Sequence, residues 1–546
     1  MNNPERTDVV VAGAGLAGLC AALQLKQALP ELSIRVVERT ALPYPEAAHK
    51  VGESSVEIGS MYLSQTLGLA DLLEKEVPKL GLRLYMSQGE NEQIEDRPEV
   101  GLRDFLEVPS YQIDRGRFEN GLVERAIERG IEVEDRAVIR SISMASGEGQ
   151  EHRVEIERAG RRRTLDCRWF LDATGRASLL RKKFNLERKN RHDVNAAWFR
   201  IDHAIEPNDW CKEPSWRQRT DHPRRLGTNH LVGPGYWVWL IPLADDRTSV
   251  GIVAEEKRHG FSELHNFEKA LSWLEHHEPQ LARALESHLD KRMDFRAIRN
   301  CAYDSKQIFS HRRWCLLGES GMFLDALYSP GTDFIALANN FATDLVMRDM
   351  AGESIENVAR AYDRVFSSLA RTFSATYYRQ YSILGNPPVM TTKFVWDLAM
   401  YWGGIALLFF REGITDPEAI EELTETLQSF ALANVSMQAF LRRWSKAAPD
   451  LGHSPSGYVN YGDIDCLEAL NRRLLHPPEG PSLVDELRRN LELVRELRRE
   501  IVAEAELQCP GIGRGELPAT TTHLESMFET IRPRSGLPPT VEFTAA

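Results

Sequence analysis

The chain has little cysteine, no excess of positive charge and no long apolar run, and each shortage excludes a class of protein. Its seven cysteines among 546 residues are scattered, odd in number and without a CxxC pair. That excludes a disulfide framework and a cysteine metal site, and fits the reduced thiols of a cytoplasmic protein. The fifteen histidines include no HExxH, and adjacent His276 and His277 cannot share one helix-side metal, so no metal is expected. A net charge of −13 argues against nucleic acid as a partner. The most apolar stretch, 398–410, has thirteen residues, too few to span a bilayer, and reads as a buried helix. The first residues lead straight into a strand, so no signal peptide is expected. No internal repeat is visible. What remains, 42% hydrophobic and 27% charged, is the composition of a globular enzyme.

The most informative stretch is Asp8-Val-Val-Val-Ala-Gly13-Ala14-Gly15-Leu-Ala17-Gly18. A strand runs into a glycine turn and a helix follows. Gly13 permits the turn, Gly15 lets backbone N–H groups approach a pyrophosphate, and Gly18 lets the helix pack closely on its strand. The helix N-terminus adds partial positive charge. Twenty residues past Gly18, a second strand ends on Glu38, an acid suited to a ribose hydroxyl.

Further along, Gly52-Glu53-Ser54-Ser55 precedes a helix that Ser54 or Ser55 is suited to cap. The run 78–86 has period two, with Leu80, Leu82, Leu84 and Met86 on one face and Lys79, Gly81, Arg83 and Tyr85 on the other. From periodicity Lys79 reads as a solvated strand lysine; the alternative is projection into a cavity where Gly81 leaves room. A strand ending at Asp172 enters a turn through Gly175 and is a second candidate for nucleotide contacts; an ordinary Asp/Gly turn is the alternative. Residues 146–150 read as a hairpin tip, and 206–227 as a surface loop over a pocket. Trp237, Trp239 and Ile241 share one strand face and form a flat apolar wall, suited to core or to a planar cofactor. Gly318 and Glu319 close another buried strand, and the turn through Ser329-Pro330-Gly331-Thr332 opens a helix whose amides make an anion site. From 354 the chain turns helical. A stripe from Val358 through Tyr362, Phe373, Tyr377 and Tyr381 reads as core, stopped by Pro387-Pro388, and the segment after Cys509 reads as a tail.

Three strand-to-turn stretches (13–18, 172–175 and 318–331) resemble those of glutathione-reductase-like FAD proteins. Trp237-Val-Trp239-Leu-Ile241-Pro242 matches the WxWxIP signature of flavin-dependent halogenases without a departure. Pro78-Lys79-Leu-Gly resembles the strand carrying their catalytic lysine, and Val51-Gly52-Glu53-Ser54 their flavin-contacting segment. The resemblance covers roughly residues 6–350 and implies an α/β fold. Its parts are a Rossmann-type FAD-binding domain (6–190 and 295–350), an inserted antiparallel β-sheet substrate domain (191–294, joined by strand 78–86), a helical C-terminal region (351–508) and a tail (509–546).

The function so implied is two-component halogenation. A separate NAD(P)H flavin reductase supplies reduced FAD, and halide, chloride or bromide, attacks the flavin C4a-hydroperoxide. The resulting hypohalous acid reaches Lys79, which delivers halogen to an electron-rich aromatic or polyketide-like small molecule, free or carrier-tethered. The absence of a second GxGxxG for NADPH fits this scheme. Carried onto this sequence, FAD contacts fall on Gly13, Ala14, Gly15, Ala17, Gly18, Glu38, Arg39, Lys50, Gly52, Glu53, Ser54, Arg115, Asp172, Gly175, Gly318, Glu319, Ser329, Gly331 and Thr332. Halide falls on Gly331 and Thr332, and Trp237, Trp239, Ile241, Pro242 and Tyr328 fall on the wall towards substrate. Pocket walls are expected from 206–227, from the helix near Tyr377 and Tyr381, and from 398–410. A homodimer is compatible with these features. Two departures bear on the substrate. Tryptophan halogenases carry Pro-Leu-Glu-Ser-Thr-Gly where this chain has Ala326-Leu-Tyr328-Ser-Pro330-Gly331. Tyr328 thus replaces an active-site acid, as in the branch acting on phenols or carrier-bound rings, and Pro330 contributes no N–H. Open beside this reading are an FAD-dependent aromatic monooxygenase, a prenyl-lipid or enone reductase on the same fold, and a non-catalytic flavoprotein partner.

Overall fold

The computed structural model describes residues 5–46, 50–145, 147, 150–415, 417–448, 457–515 and 522–531. Two eight-stranded sheets organise it. The first sets five parallel strands in the order Trp314–Leu316, Arg161–Asp172, Glu5–Ala12, Ile34–Val37, Glu132–Glu134. Val9, Val10, Val11 and Ala12 are fully buried, as expected of a parallel strand covered on both faces. Register pairs Ala12 with both Val37 and Asp172, and Asp172 with Leu316. The carboxyl ends of four strands therefore meet along one edge, where open α/β sheets take their ligands. Strands Ala137–Ser143 and His152–Arg158 pair antiparallel beside this sheet; the tip between them lies largely outside the described residues.

The second sheet runs Arg296–Ile298, Val194–Ile201, Arg247–Glu255, Tyr236–Leu243, Thr228–Gly233, Leu82–Met86, Glu99–Gly101, Tyr458–Asn460. It is mixed, where an antiparallel sheet was expected. Leu82–Met86 runs parallel to Thr228–Gly233, and Tyr458–Asn460 parallel to Glu99–Gly101, because both strands arrive from outside the 191–294 stretch. The sheet is therefore not confined to that stretch.

The period-two reading of 78–86 breaks at Gly81. Two short strands, Val77–Pro78 and Leu82–Met86, flank a glycine with φ +58°, and Leu82–Met86 is buried on both faces. The space that Gly81 leaves is taken by the Tyr461 hydroxyl, which a Cβ there would meet at 2.2 Å, and by Leu102. It is not room for Lys79.

The helical region comprises Glu356–Tyr377, Pro387–Phe410, Pro417–Ala447, Asp465–Leu475, Leu483–Gln508 and Glu525–Ile531. Pro387 opens a helix instead of ending one, since its missing N–H is not needed in a first turn. The continuous helical run of 24 residues is long and apolar enough to cross a membrane, yet its most apolar window is 83% buried inside the protein. Its apolar surface is thus covered by the fold. Beyond Cys509, Leu524, Met527, Phe528 and Ile531 are buried, so 522–531 packs on the body and is not a tail. Segment 206–227 is also built in: Trp216 and Arg224 are buried, the guanidinium lies 3.6 Å over the indole ring, and Arg224 Nε donates to Glu99 at 2.9 Å. No cysteine is disulfide-bonded, and among the described residues no cluster suits a metal ion.

Candidate active site

A cavity of about 650 Å³ opens where the parallel strands end. Gly13, Gly15, Ala17, Glu38 and Arg39 line one end of it. Gly13 has φ +104°, and a Cβ there would lie 2.4 Å from the Ala173 carbonyl oxygen. Gly18 is equally tight, 2.1 Å from the Gly13 carbonyl oxygen, so its hydrogen lets the helix Leu16–Ala28 settle on its strand. Gly15 differs: a Cβ would meet only the mobile end of Lys50, at 2.9 Å, and the Glu119 carboxylate at 3.8 Å. Its missing side chain is open cavity. Glu38 accepts the Ala14 N–H at 2.8 Å, which fixes the turn and sets the carboxylate on the cavity wall.

Lys50, Gly52, Glu53, Ser54 and Arg115 continue the lining, followed by Gly175, Gly318, Glu319, Ser329, Gly331 and Thr332. Asp172 does not reach it. Both of its oxygens serve the turn, accepting from Thr174 and from Leu180 N, so its carboxylate builds the bend and leaves the surface to Ala173, Thr174 and Gly175. Ser54 and Ser55 cap no helix: Ser54 pairs with Thr228 Oγ1 at 3.0 Å and Ser55 with Ser60 Oγ at 2.9 Å. Trp237, Trp239 and Ile241 form a floor, with Trp239 lying over Gly251, where a Cβ would meet the ring at 2.1 Å; Pro242 lies off the wall. Trp237 Nε1 donates to the Tyr381 hydroxyl at 2.8 Å, and Tyr381 donates to Asp325 at 2.9 Å, tying the floor to the helical region.

A second cavity of about 1220 Å³ lies beyond, bounded by Lys79, Glu57, Tyr328, Asp333 and the helical region. Two loops separate the cavities. Of segment 50–57, Lys50 to Ser54 face the first and Val56 and Glu57 the second. Of segment 325–333, Ser329, Gly331 and Thr332 face the first, Tyr328 and Asp333 the second, and Pro330 touches both. The tryptophans border only the first cavity, so the partition is these two loops and not the tryptophan wall. Segment 206–227 lines neither cavity. The stripe read as core does line one: Val358, Val365, Leu369, Phe373 and Tyr377 all border the second cavity.

Lys79 is 3% exposed, so the solvated reading is overturned. Its Nζ donates to the Ser55 carbonyl at 2.7 Å. Burial pushes its pKa down to about 8, against the pull of Glu57 and Asp333. Asp333 is pushed up to about 7 by burial, although its oxygens accept from Tyr401 at 2.7 Å and from Gly59 N at 2.8 Å. Burial also raises Glu57. The cluster forms because Gly59 has no side chain: a Cβ would meet Thr332 at 2.8 Å, so Glu57–Met61 packs against the start of Gly331–Met350. Buried His230, beside Lys79 and on the first cavity's wall, is pushed down to about 4, chiefly by desolvation, and stays neutral. Sequence reasoning missed Glu57, Asp333, Tyr401 and His230. None stands in a periodic pattern, and Tyr401 is aimed inward by a π-helical turn, Tyr401–Ala406, that interrupts its helix.

Tyr328 and Ser329 both have positive φ, +69° and +59°, in consecutive non-glycine residues. Bonds from Leu327 N to Asp325 at 2.9 Å and from Ser329 N to the Ala326 carbonyl at 3.0 Å hold them there. This conformation turns Tyr328 to one cavity and Ser329 to the other. The next residues begin a twenty-residue helix; nothing lies within 4 Å of a Cβ placed on Gly331, so its first amides face open space.

Residues 6–259 match the family described as FAD binding domain. The flavin-dependent halogenase chlA of Dictyostelium discoideum is 25% identical over 431 residues, 72% of this chain and 69% of that protein. The 1H-pyrrole-2-carbonyl-[peptidyl-carrier protein] brominase of Pseudoalteromonas luteoviolacea is 23% identical over 394 residues, covering 70% and 87%. This chain is a homologue of the flavin-dependent halogenases. Among solved folds, halogenase PltM in complex with phloroglucinol and FAD superposes with a TM-score of 0.62 at 16% identity, over 93% of this chain and 98% of that one. The halogenase homologue is thus an FAD-dependent oxidoreductase. Its first cavity fits FAD on its own terms, with a glycine cradle open at Gly15, an acid at a strand end and a flat indole floor.

Proposed function

We propose that this enzyme oxidises chloride or bromide to hypohalous acid and transfers the halogen, through Lys79, to an electron-rich aromatic or polyketide-like molecule in the second cavity. Bound in the first cavity, reduced FAD supplies with oxygen the two-electron oxidant for that conversion. The observation that carries the proposal is Lys79: an amine buried on the wall of the second cavity and hydrogen-bonded to Ser55, next to Ser54 of the first cavity's lining.

Each further role follows from this chain's own groups. The open amides of Gly331 and Thr332 at a long helix's start suit a halide next to the flavin cavity. With a pKa of about 8, roughly a tenth of Lys79 is the free amine at pH 7. The free amine takes halogen from hypohalous acid with release of water; the ammonium form holds the acid by hydrogen bonding. When the ring takes halogen from the amine, the departing ring proton returns to the Lys79 nitrogen, and Asp333, with a pKa of about 7, is the carboxylate that would relay it. Carrier-linked pyrrole in one relative's name and phloroglucinol in the PltM complex support an electron-rich ring, and Tyr328 in place of an acid supports a phenol or carrier-bound ring over free tryptophan.

The test is a mass-spectrometric screen of phenols, pyrroles, indoles and carrier-linked acids, with FAD, an NADH-dependent flavin reductase, oxygen and bromide. Bromide-dependent products carrying the two-isotope bromine pattern support the reading. Hydroxylated products formed equally without halide make the enzyme a monooxygenase, and anaerobic turnover makes it a reductase.

A further inference from the structure

The second cavity is larger and longer than a reaction at Lys79 requires. Its volume of about 1220 Å³ exceeds the roughly 300–1,000 Å³ of a site for a drug-sized ligand. Val358, Ala361, Val365, Leu369, Phe373 and Tyr377 form one wall, a stripe along helix Glu356–Tyr377. At about 1.5 Å of rise per residue, that stripe runs for about 28 Å. Helix Pro417–Ala447 supplies the facing wall, through Thr424, Leu427, Ala431 and Asn434. Hydrogen bonds set the two segments side by side with the same chain direction. Tyr362 donates to the Thr415 carbonyl at 2.9 Å, Asn434 to the Thr372 carbonyl at 3.1 Å, and Gln380 to the Gln438 carbonyl at 3.4 Å. The space is therefore a groove between two helices and not a round chamber.

Both walls grade from open to closed in the same direction. Asn357, Thr424 and Gln428 are exposed, Val365, Leu369, Leu427 and Ala431 are half-buried, and Tyr377 and Asn434 are buried. The closed end is the reactive one. The Asp333 charge reaches Tyr377, and Phe334, next to Asp333, meets Phe373 edge-on at 5.1 Å. The buried ionisable groups of the lining, Lys79, Glu57, Asp333 and Asp397, gather there, while the charges at the open end are solvent-facing. Between the two ends lies an apolar stripe with core spacing that protein leaves half uncovered, continuous with the cavity that holds Lys79.

We propose that the substrate is a long amphiphile, with its reacting group at Lys79 and an apolar tail, an alkyl or acyl chain, laid along the groove between helices Glu356–Tyr377 and Pro417–Ala447. This rests on the reading of Lys79 as the group that transfers halogen, and names the class of molecule it serves. An extended chain advances about 1.2 Å per bond, so twelve bonds cover about 14 Å, half of the groove. Val365, Leu369 and Leu427 offer hydrocarbon, and the N–H groups of a helix interior are already spent on the helix. That favours a hydrocarbon tail over an amide-bearing arm.

The experiment measures binding and needs no turnover. FAD-loaded enzyme, without reductase or halide, is dialysed to equilibrium against straight-chain primary alcohols from hexanol to dodecanol. Each added methylene is expected to tighten binding about fourfold, the worth of burying one CH₂. Leu369 stands about 12 Å of helix from Tyr377, beyond the reach of hexanol and within that of dodecanol. Leu369→Trp, and Ala431→Trp from the facing helix, should each cost dodecanol about tenfold or more and leave hexanol as in the parent. A flat series in the parent, or dodecanol bound equally by both folded variants, overturns the proposal. Pantetheine is the probe for an amide-bearing arm: if it binds more tightly than any of the alcohols, the groove belongs to such an arm and the proposal fails. The two readings fail separately. Chain-length dependence with no halogenated product from any substrate would sink the halogenase reading and leave the tail standing, whereas bromination of short rings beside a flat series would overturn the tail alone.

Discussion

Replacing Lys79 by methionine separates the role of its amine from the role of its bulk. Lys79 is buried and its pKa falls from 10.5 to about 8 because desolvation outweighs the attraction of Glu57 and Asp333. Between those two values the unfolded chain holds a proton that the folded chain has lost, so this group's contribution makes stability rise with pH from about 8 towards 10.5. Integrated from pH 7 to 9.5, the contribution is about 2 kcal/mol, and Lys79→Met lacks it. All other titrating groups are common to both proteins, and Asp333, pushed up to about 7, is ionised over most of that range. The assay is denaturant unfolding of parent and variant at half-unit pH steps; their stability difference should move by about 2 kcal/mol in the parent's favour as pH rises. In the same preparations, halogenated product should fall by about 10² or more, with FAD content unchanged, since Lys79 borders only the second cavity. A stability difference that stays flat across this range would mean that Lys79 does not titrate near 8, and the desolvation argument fails. Full activity in Lys79→Met would refute its role in transfer.

Three further outcomes follow. Asp333→Asn removes a negative charge that holds the Lys79 pKa up, so the rise in activity near pH 8 that follows deprotonation of Lys79 should move to lower pH, while the rise near 7 from Asp333 itself disappears; a profile superimposable on the parent's would refute the pairing. Gly13→Ala puts a methyl 2.4 Å from a backbone oxygen at φ +104°, whereas Gly15→Ala puts one into the flavin cavity against the movable tip of Lys50. The first should lower the midpoint of thermal unfolding, and the second should leave it intact while weakening FAD about tenfold or more by equilibrium dialysis. Gly251→Ala drives a methyl into the Trp239 ring at 2.1 Å, so it should cost about 1–3 kcal/mol and shed FAD absorbance; retention of bound flavin would show that the ring is not the cavity floor.

The first cavity was legible because its signals are local. Strand, glycine turn and helix lie within a dozen residues, and Trp237, Trp239 and Ile241 share a face by simple alternation. Lys79 was legible only through its resemblance to a family strand; alternation alone placed it in solvent, because a positive-φ glycine two residues on redirects the chain. The second cavity was not legible. Glu57, Asp333, Tyr401 and Trp402 meet from segments up to 345 positions apart, and the turn aiming the last two is π-helical, a form that no apolar period announces. Apolar helix faces such as Val365, Leu369 and Phe373 look alike in sequence whether they pack on protein or on a ligand.

The division into two cavities itself bears on the chemistry. Segments 50–57 and 325–333 each line both cavities, so a substrate held in the second, as proposed, stands across them from the first. On the proposed function the species that passes between the cavities is hypohalous acid, which has only two heavy atoms. The partition therefore favours transfer of a small diffusing oxidant over direct attack on the ring. On the proposed function such an electrophile has to be caught before it oxidises the protein, and Lys79, hydrogen-bonded to Ser55 of the partition itself, is the group proposed to catch it. The strain of two consecutive positive-φ residues, Tyr328 and Ser329, has the same logic. It turns adjacent side chains to opposite cavities within one loop, so that this one loop lines both.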